Sequence, residues 1–475
     1  MASELVERRD AGPEAPEQAA WEPRIAALVC NWCTYAGADM AGTARRSYPP
    51  SVRIVRFLCT GRLDPLFLIK AFEQGADGVL VSGCHPGDCH YVQGNLLARR
   101  RFTVFTALMD FLGLDRRRLH FAWVSASEGV KWSRIVDEVT ELVREVGPLG
   151  RWAAPSEVPA SLPALPDPGP EPRPAPAESE SERVTAELRE TAARLLGDGS
   201  VSLVLGYAAG SLPGQTVPTF VTRPEDASLL VWNERCANNL VVYLLEALKR
   251  NGTGKVAVVA KSCDSGALVG LLREHQLDRE DVLLLGVPCA GVWTDGRLAL
   301  KCYDCADEVS PHADWTITAA GAHEGPPAAG GGRPVAPDPR EAQIAALEAL
   351  PPEARWDYWQ RQFARCLRCY ACRAVCPLCY CDTCVADKNR PQWIPVGFGG
   401  EGNTAWNVAR AMHLAGRCVG CDECTRVCPA DIRLDLLNQR LVQEIETRFG
   451  YRANDDPSNA PPLTTFSPED PDGFL

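Results

Sequence analysis

Short apolar runs alternate with amphipathic stretches from residue 25 onward. IAALV (25–29), VRIVRFL (52–58), GVLVSG (78–83) and HFAWVSA (120–126) are apolar and β-rich. Between and after them lie a helix from about Ala36, DPLFLIKAFEQG, YVQGNLLARRR with a further helix, and EGVKWSRIVDEVTELVREVG. Strand and helix in strict alternation predict right-handed crossovers and a doubly wound parallel sheet over residues 25–150. The pattern stops at residues 151–183, which are rich in proline and in acidic or small residues and predict an extended, mobile linker. It resumes with VTAELRETAARLLG, VSLVLGYAAG, LLVWN, NNLVVYLLEALKRNG, KVAVVAK, a helix from about Gly266 to His275, and VLLLGVPCAGV. Those predict a second α/β domain over 184–319. A Gly/Pro-rich break at 320–340 precedes a largely helical unit, 341–450. Residues 1–24 read as a polar, disordered leader, and 451–475 as an acidic tail that is either exposed or partner-docking.

The cysteines change this picture most. In the C-terminal unit Cys366, Cys369, Cys372 and Cys376 precede Pro377, and Cys418, Cys421, Cys424 and Cys428 precede Pro429. Both runs read C-x-x-C-x-x-C-x-x-x-C-P, the spacing by which bacterial-type ferredoxins hold two 4Fe-4S clusters. Three thiolates on one tight loop reach three corners of a cubane, and the fourth points to the other cluster. That rule pairs Cys366, Cys369 and Cys372 with Cys428, and Cys418, Cys421 and Cys424 with Cys376. The competing reading is two structural zinc sites, which need only four thiolates each and not two complete Cys-Pro runs. Trp393 and Trp406, in the long stretch between the runs, are expected to pack over the clusters and exclude water, or to be ordinary core.

In the N-terminal unit Cys30, Cys59 and Cys84 each close a predicted strand, so three segments deliver a thiol to one carboxyl edge, where such sheets bind ligands. Cys33 and Cys89 follow on the loops, making five candidates for an iron–sulfur site, with His85 and His90 as alternative donors of the Rieske kind. CNWCTYAGADMAG, CTGRLDP and GVLVSGCHPGDCHYVQGN resemble the delta subunit of methyl-viologen-reducing hydrogenase. The resemblance implies one 2Fe-2S cluster and an electron relay between a hydrogenase or formate dehydrogenase and heterodisulfide reductase. It makes Cys30, Cys33, Cys59, Cys84 and Cys89 the candidate ligands, without saying which is spare.

The remaining cysteines point to more metal. Cys379, Cys381 and Cys384 form C-x-C-x-x-C just after the first run, and Cys302 and Cys305 form a lone C-x-x-C. A further cubane drawing on the trio and on Cys302 or Cys305 is one reading; zinc or free thiols are the others. For Cys236 and Cys263 the ordinary fate is burial. The turn Lys261-Ser262-Cys263-Asp264-Ser265-Gly266 runs from strand into helix, where free backbone amides and a lysine suit a phosphate, or where Asp264 or Ser265 is simply an N-cap. This turn, the GVPCAG strand end and the cluster runs make the 184–319 unit, together with the ferredoxin region, similar to the beta subunits of deazaflavin-dependent hydrogenases and formate dehydrogenases. That resemblance implies FAD, with Lys261, Asp264, Ser265 and Gly266 facing it. No G-x-G-x-x-G turn supports NAD.

Composition narrows the partners. With 49 Lys+Arg against 61 Asp+Glu the net charge is −12, which argues against nucleic acid. Twenty-one cysteines, mostly in metal-type spacings, fit a reducing compartment, and no apolar run reaches membrane-span length. A cytoplasmic iron–sulfur electron carrier joined to hydrogenase, formate dehydrogenase or heterodisulfide-reductase-like subunits is the expectation. The alternative is an FAD-containing oxidoreductase that itself reduces or oxidises a soluble coenzyme.

Overall fold

A computed structural model describes residues 21–150, 152, 164–252, 254–294, 296–327, 334–397, 399–454 and 456–474. Most of the expected leader, most of the first third of the Pro-rich linker and the centre of the 320–340 break lie outside the described residues.

The first sheet is built from β1 (Ile25–Cys30), β2 (Val52–Phe57), β3 (Gly78–Gly83) and β4 (Leu119–Trp123), with helices α1 (Cys33–Thr43), α2 (Pro65–Glu73), α3 (Gly94–Leu112) and α4 (Gly129–Val146). All pairings are parallel, as the alternation predicts, and the order is β2-β1-β3-β4. β1, β3 and β4 are buried nearly end to end, as strands covered on both faces must be. α2 starts where Asp64 accepts a hydrogen bond from Leu66 N–H and Pro65 presets the first turn. The two helices expected between β3 and β4 are the single α3, which ends at left-handed Gly113.

The second sheet follows α5 (Glu178–Gly197). Its strands are β5 (Leu203–Ala209), β6 (Thr216–Val221), β7 (Val256–Ala260), β8 (Val282–Gly286), β11 (Trp315–Thr318) and β12 (Gly321–Glu324). A two-residue hairpin, β9 (Trp293–Thr294) and β10 (Arg297–Leu298), stands apart. α6 (Leu244–Asn251) and α7 (Ser262–Arg273) flank β7. The order is β12-β11-β8-β7-β5-β6: a parallel centre with an antiparallel strand on each edge. LLVWN is not a strand; Leu229 ends a 3-10 turn and only Leu230 bridges to Ala208.

The C-terminal unit holds α8 (Pro339–Glu348), α9 (Pro352–Ala364), α10 (Ala371–Ala374), α11 (Gly400–Leu414), α12 (Glu423–Arg426) and α13 (Leu434–Phe449). It is not tethered at a distance from the first sheet. Phe102, Phe105, Phe111 and Leu112 of α3 share one continuous apolar core with Trp359 and Phe363 of α9, Trp406 of α11 and Leu437 and Leu441 of α13. Where described, the linker is pinned as well. Trp152 stacks on Phe72 at 5.0 Å, and the buried Arg173 donates to the carbonyls of Ala290 and Pro334. The C-terminal tail, expected to be exposed or free for a partner, clamps the first unit instead. Asp470 accepts from Arg100 at 2.6 and 2.8 Å, Asp472 accepts from Trp123 Nε1 at 2.6 Å, and Phe474 packs on Phe121 at 4.7 Å. Among the described residues no helix is long and apolar enough to cross a membrane.

Candidate iron–sulfur centres

The chain turns from β1 to β2 on one side and to β3 on the other, so the crevice at the carboxyl ends of β1 and β3 is the sheet's switch point. Cys30 ends β1 and Cys84 follows β3, and their sulfurs lie 3.7 Å apart. Cys59, just beyond β2, has its sulfur 3.9 Å from that of Cys89, and Cys33 is within hydrogen-bond reach of Cys84. All five thiols therefore gather as the sequence predicts. Trp32 N–H points at Cys30 Sγ and Gly61 N–H at Cys59 Sγ, at 3.5 and 3.4 Å, the kind of donors that stabilise thiolate. Gly94 is required here: a Cβ on it would lie 2.4 Å from Cys59 Sγ. The hydrogen bond with Cys84, with burial, pushes the Cys30 thiol up, and burial pushes Cys59 up to about 11. Neither histidine joins the group. His85 pairs with Glu128 at 2.7 Å, and His90 stacks on Trp32 at 3.8 Å.

The two C-terminal runs fold as matching loops. The second residue after the first cysteine is left-handed in both, Arg368 and Gly420, and so is the fourth, Tyr370 and Asp422, just ahead of α10 and α12. These turns curl each loop around its own cysteines. One cavity is lined by Cys418, Cys421 and Cys424 of the second run together with Cys376 of the first. In the other direction Cys428 stands in the electrostatic environment of Cys366 and Cys372. The fold thus brings thiols of the two runs into each other's neighbourhood, with Cys369 exposed. Burial pushes Cys418 up to about 11 and Cys424 up to about 12, so thiolate there needs positive charge beside it. Asn438 donates to Cys424 Sγ at 3.4 Å. Trp406 packs over the first loop, its ring 4.8 Å from Tyr370, whereas Trp393 lies against Phe67 at 5.1 Å.

A buried cation tests whether iron–sulfur centres suit this pocket. Arg410 lines the cavity beside Cys376 and Cys424 and is only 5% exposed. Among the described residues no carboxylate pairs with it, and its Nε has no hydrogen-bond partner. A guanidinium left in that state is costly unless negative charge faces it, and a thiolate-bound cluster supplies that charge.

Two thiols stand at the carboxyl edge of the second sheet, and Cys302 and Cys305 lie on the segment that follows. Ala260 of β7 and Gly286 of β8 are register partners, and Cys263 and Cys289 each lie three residues beyond them. The segment after Cys305 crosses both. Ser262 Oγ donates to Asp307 Oδ2 at 2.8 Å, Cys289 N–H donates to Glu308 O at 2.8 Å, and Cys305 Sγ lies 3.8 Å from Asp307 O. Cys302, on the preceding 3-10 turn, accepts from Val292 N–H at 3.4 Å. Lys301 beside it donates to Cys421 O at 2.7 Å and so abuts the second ferredoxin loop. Sequence reasoning gave burial as the ordinary fate of Cys263 and, although Cys289 closes its strand as Cys84 does, assigned neither a ligand role; their matching positions after register-paired strands are the signal that relates them. Cys236, tied to Asn233, stands behind Cys289.

The trio does not join Cys302 and Cys305, which corrects the expected further site. Tyr380 OH donates to Glu274 at 2.5 Å at the C-terminal end of α7, while Cys263 and Asp307 mark its start. Twelve residues of helix separate the two places by roughly 18 Å. The trio is itself dispersed: Cys379 contacts Cys376, Cys384 neighbours Arg373, and Cys381 is exposed. Among the described residues no group of three or more His, Cys, Asp or Glu is placed to hold a single metal ion.

The expected flavin-facing residues turn inward. Lys261, 1% exposed, pairs with Asp264 at 2.8 Å and donates to Tyr207 Oη and Asn238 O at 2.6 and 2.9 Å. Burial acts to lower the lysine, but Asp264 outweighs it and keeps Nζ charged. Ser265 Oγ donates to Ser262 O, and Gly266 lies against Asn454. The turn is a buried cap on α7.

Residues 25–147 match the family described as methyl-viologen-reducing hydrogenase, delta subunit, and residues 365–433 match the 4Fe-4S dicluster domain. The iron-sulfur subunit of the F420-non-reducing hydrogenase vhc of Methanococcus voltae is 48% identical over 128 residues, 27% of this chain and 89% of that protein. The chain belongs to the methyl-viologen-reducing hydrogenase delta-subunit family. The corresponding iron-sulfur subunit of the F420-non-reducing hydrogenase of Archaeoglobus profundus is 49% identical, covering 27% of this chain and 93% of its own length. The same stretch is 42% identical to 16% of a ferredoxin:CoB-CoM heterodisulfide reductase subunit from Methanosarcina mazei. A solved structure, a xenon derivative of the F420-reducing [NiFe] hydrogenase complex from Methanosarcina barkeri, aligns at 19% identity and a TM-score of 0.20 over 24% of this chain and 43% of that one, too slight a likeness to carry an argument. The family domain is thus joined, in one chain, to a 4Fe-4S dicluster domain.

Proposed function

We propose that the chain is an electron-relay subunit. It links a hydrogenase or formate dehydrogenase to heterodisulfide-reductase-like subunits in a reducing, cytoplasmic setting. The observation that supports this most is the cavity in which Cys376 of one run meets Cys418, Cys421 and Cys424 of the other. In this reading Cys366, Cys369, Cys372 and Cys428 hold one 4Fe-4S cluster, and Cys376 with Cys418, Cys421 and Cys424 holds the second. Four of Cys30, Cys33, Cys59, Cys84 and Cys89 hold a 2Fe-2S cluster, and Cys263, Cys289, Cys302 and Cys305 hold a further cubane. When bound, such clusters store and pass single electrons.

The chain's own work is to space these sites and to set their surroundings. The shared core of the first sheet and the C-terminal helices fixes one separation. The Lys301–Cys421 contact fixes another. At the outer end, Trp32 and Tyr91, 41% and 47% exposed, rim the N-terminal thiols and offer an apolar face to an external donor or acceptor. The FAD reading retains only the backbone amides at the start of α7, since Lys261 and Asp264 are committed to each other. Stoichiometric flavin in anaerobically purified protein would restore it. The relay is tested with Cys376→Ala: electron paramagnetic resonance should show the second ferredoxin cluster gone and most of the first spared. Loss of the first alone overturns the crossed assignment.

A further inference from the structure

One side chain touches both halves of the dicluster. Arg410 stands on α11, in the long stretch separating the two cysteine runs, and α11 carries it into the interior. Its Nη2 donates to the carbonyl of Cys372, in the first loop, at 3.0 Å. The same guanidinium lines the cavity of Cys376, Cys418, Cys421 and Cys424. The carboxylates in its neighbourhood are already taken. Asp422 is held by Arg340 at 2.7 Å, Glu423 by Arg426 at 2.6 Å, and Asp435 by Arg433 at 2.7 Å. The negative charge that bears on Arg410 is that of the thiols of Cys424, Cys376, Cys372 and Cys379.

We propose that Arg410 is the shared counter-ion of the two 4Fe-4S sites, a positioning residue for charge that raises both reduction potentials together. The inference rests on the reading that both runs hold cubanes. Reducing either site adds one electron and so one unit of negative charge. A fixed cation between the sites stabilises that charge on either side, so neither becomes a trap for the electron in transit. The low dielectric of the surroundings makes the effect larger than that of a surface arginine. Lys301, against Cys421 O on the far side of the second loop, faces only one of the two sites and serves as the internal comparison.

The test uses full-length, anaerobically purified protein, with iron content measured first and potentials then read by paramagnetic resonance during a redox titration. Arg410→Gln is expected to keep its iron and to lower the reduced-to-oxidised ratio of both ferredoxin clusters at fixed potential by about tenfold, or about 59 mV for one electron. Lys301→Met should lower the second cluster and leave the first. Unchanged potentials in Arg410→Gln, or a shift confined to one cluster, overturn the proposal. If Arg410→Gln loses iron, Arg410→Lys decides, because it keeps the charge. Potentials near those of the natural protein uphold the counter-ion role, and lowered ones overturn it. Absence of both cubane signals from the natural protein would instead refute the relay reading on which this rests.

Discussion

The two sheets use one device in opposite directions. Each gathers thiols at the carboxyl ends of neighbouring parallel strands, Cys30 with Cys84 in the first and Cys263 with Cys289 in the second. In the first, the gathering looks outward, with the exposed stack of Trp32, His90 and Tyr91 at its rim. In the second it looks inward, against Lys301 and the loop of Cys421, with Lys261 and Asp264 paired beneath. The difference shows that a thiol-bearing strand edge can stand at the surface in one sheet and against the chain's own ferredoxin loop in another. One edge stands exposed beside Trp32 and Tyr91, and the other abuts the loop of Cys421.

The comparison breaks most visibly if the second edge holds no metal. Cys263→Ala with Cys289→Ala should remove about four irons per chain, whereas Cys379→Ala, Cys381→Ala and Cys384→Ala together should leave that cluster in place. Iron lost only from the second combination would return the further site to the trio. At the first edge, Cys84→Ala should remove about two irons and the 2Fe-2S signal while both ferredoxin signals persist. The buried pair sharpens the contrast further. Lys261→Met leaves Asp264 uncompensated at 0% side-chain exposure and should cost roughly 3–5 kcal/mol by chemical denaturation. Lys261→Met with Asp264→Leu should cost less, and equal losses would show that packing, not charge, matters there. Smallest is the tail: Arg100→Ala removes the two-nitrogen grip on Asp470 and should cost about 1.5–3 kcal/mol. Limited proteolysis should then cut after residue 460 sooner than in the natural protein.

Much of this was legible in the sequence because it is local. Strand–helix alternation gave β1 to β4 and their parallel pairing, and the two cysteine runs gave the dicluster, since spacing along the chain is what fixes a loop's grip on a cubane. What escaped depends on distant contacts. β6 carries Pro218, which argues against a strand except at an edge, and an edge is where it lies. β11 and β12 are four residues each, too short for a period to show. The tail reads as solvated because it is acidic, yet Arg99, Arg100 and Trp123 supply its partners from some 350 to 370 residues away. Lys261 reads as a phosphate ligand until Tyr207 and Asn238 close around it.

Iron and acid-labile sulfide per chain, measured on anaerobically purified protein, test the central claim most directly. Two cubanes in the dicluster, one at the second sheet and a 2Fe-2S centre at the first give about 14 irons. A value near 10 would contradict a site at the second edge, and zinc in place of iron would contradict the relay altogether.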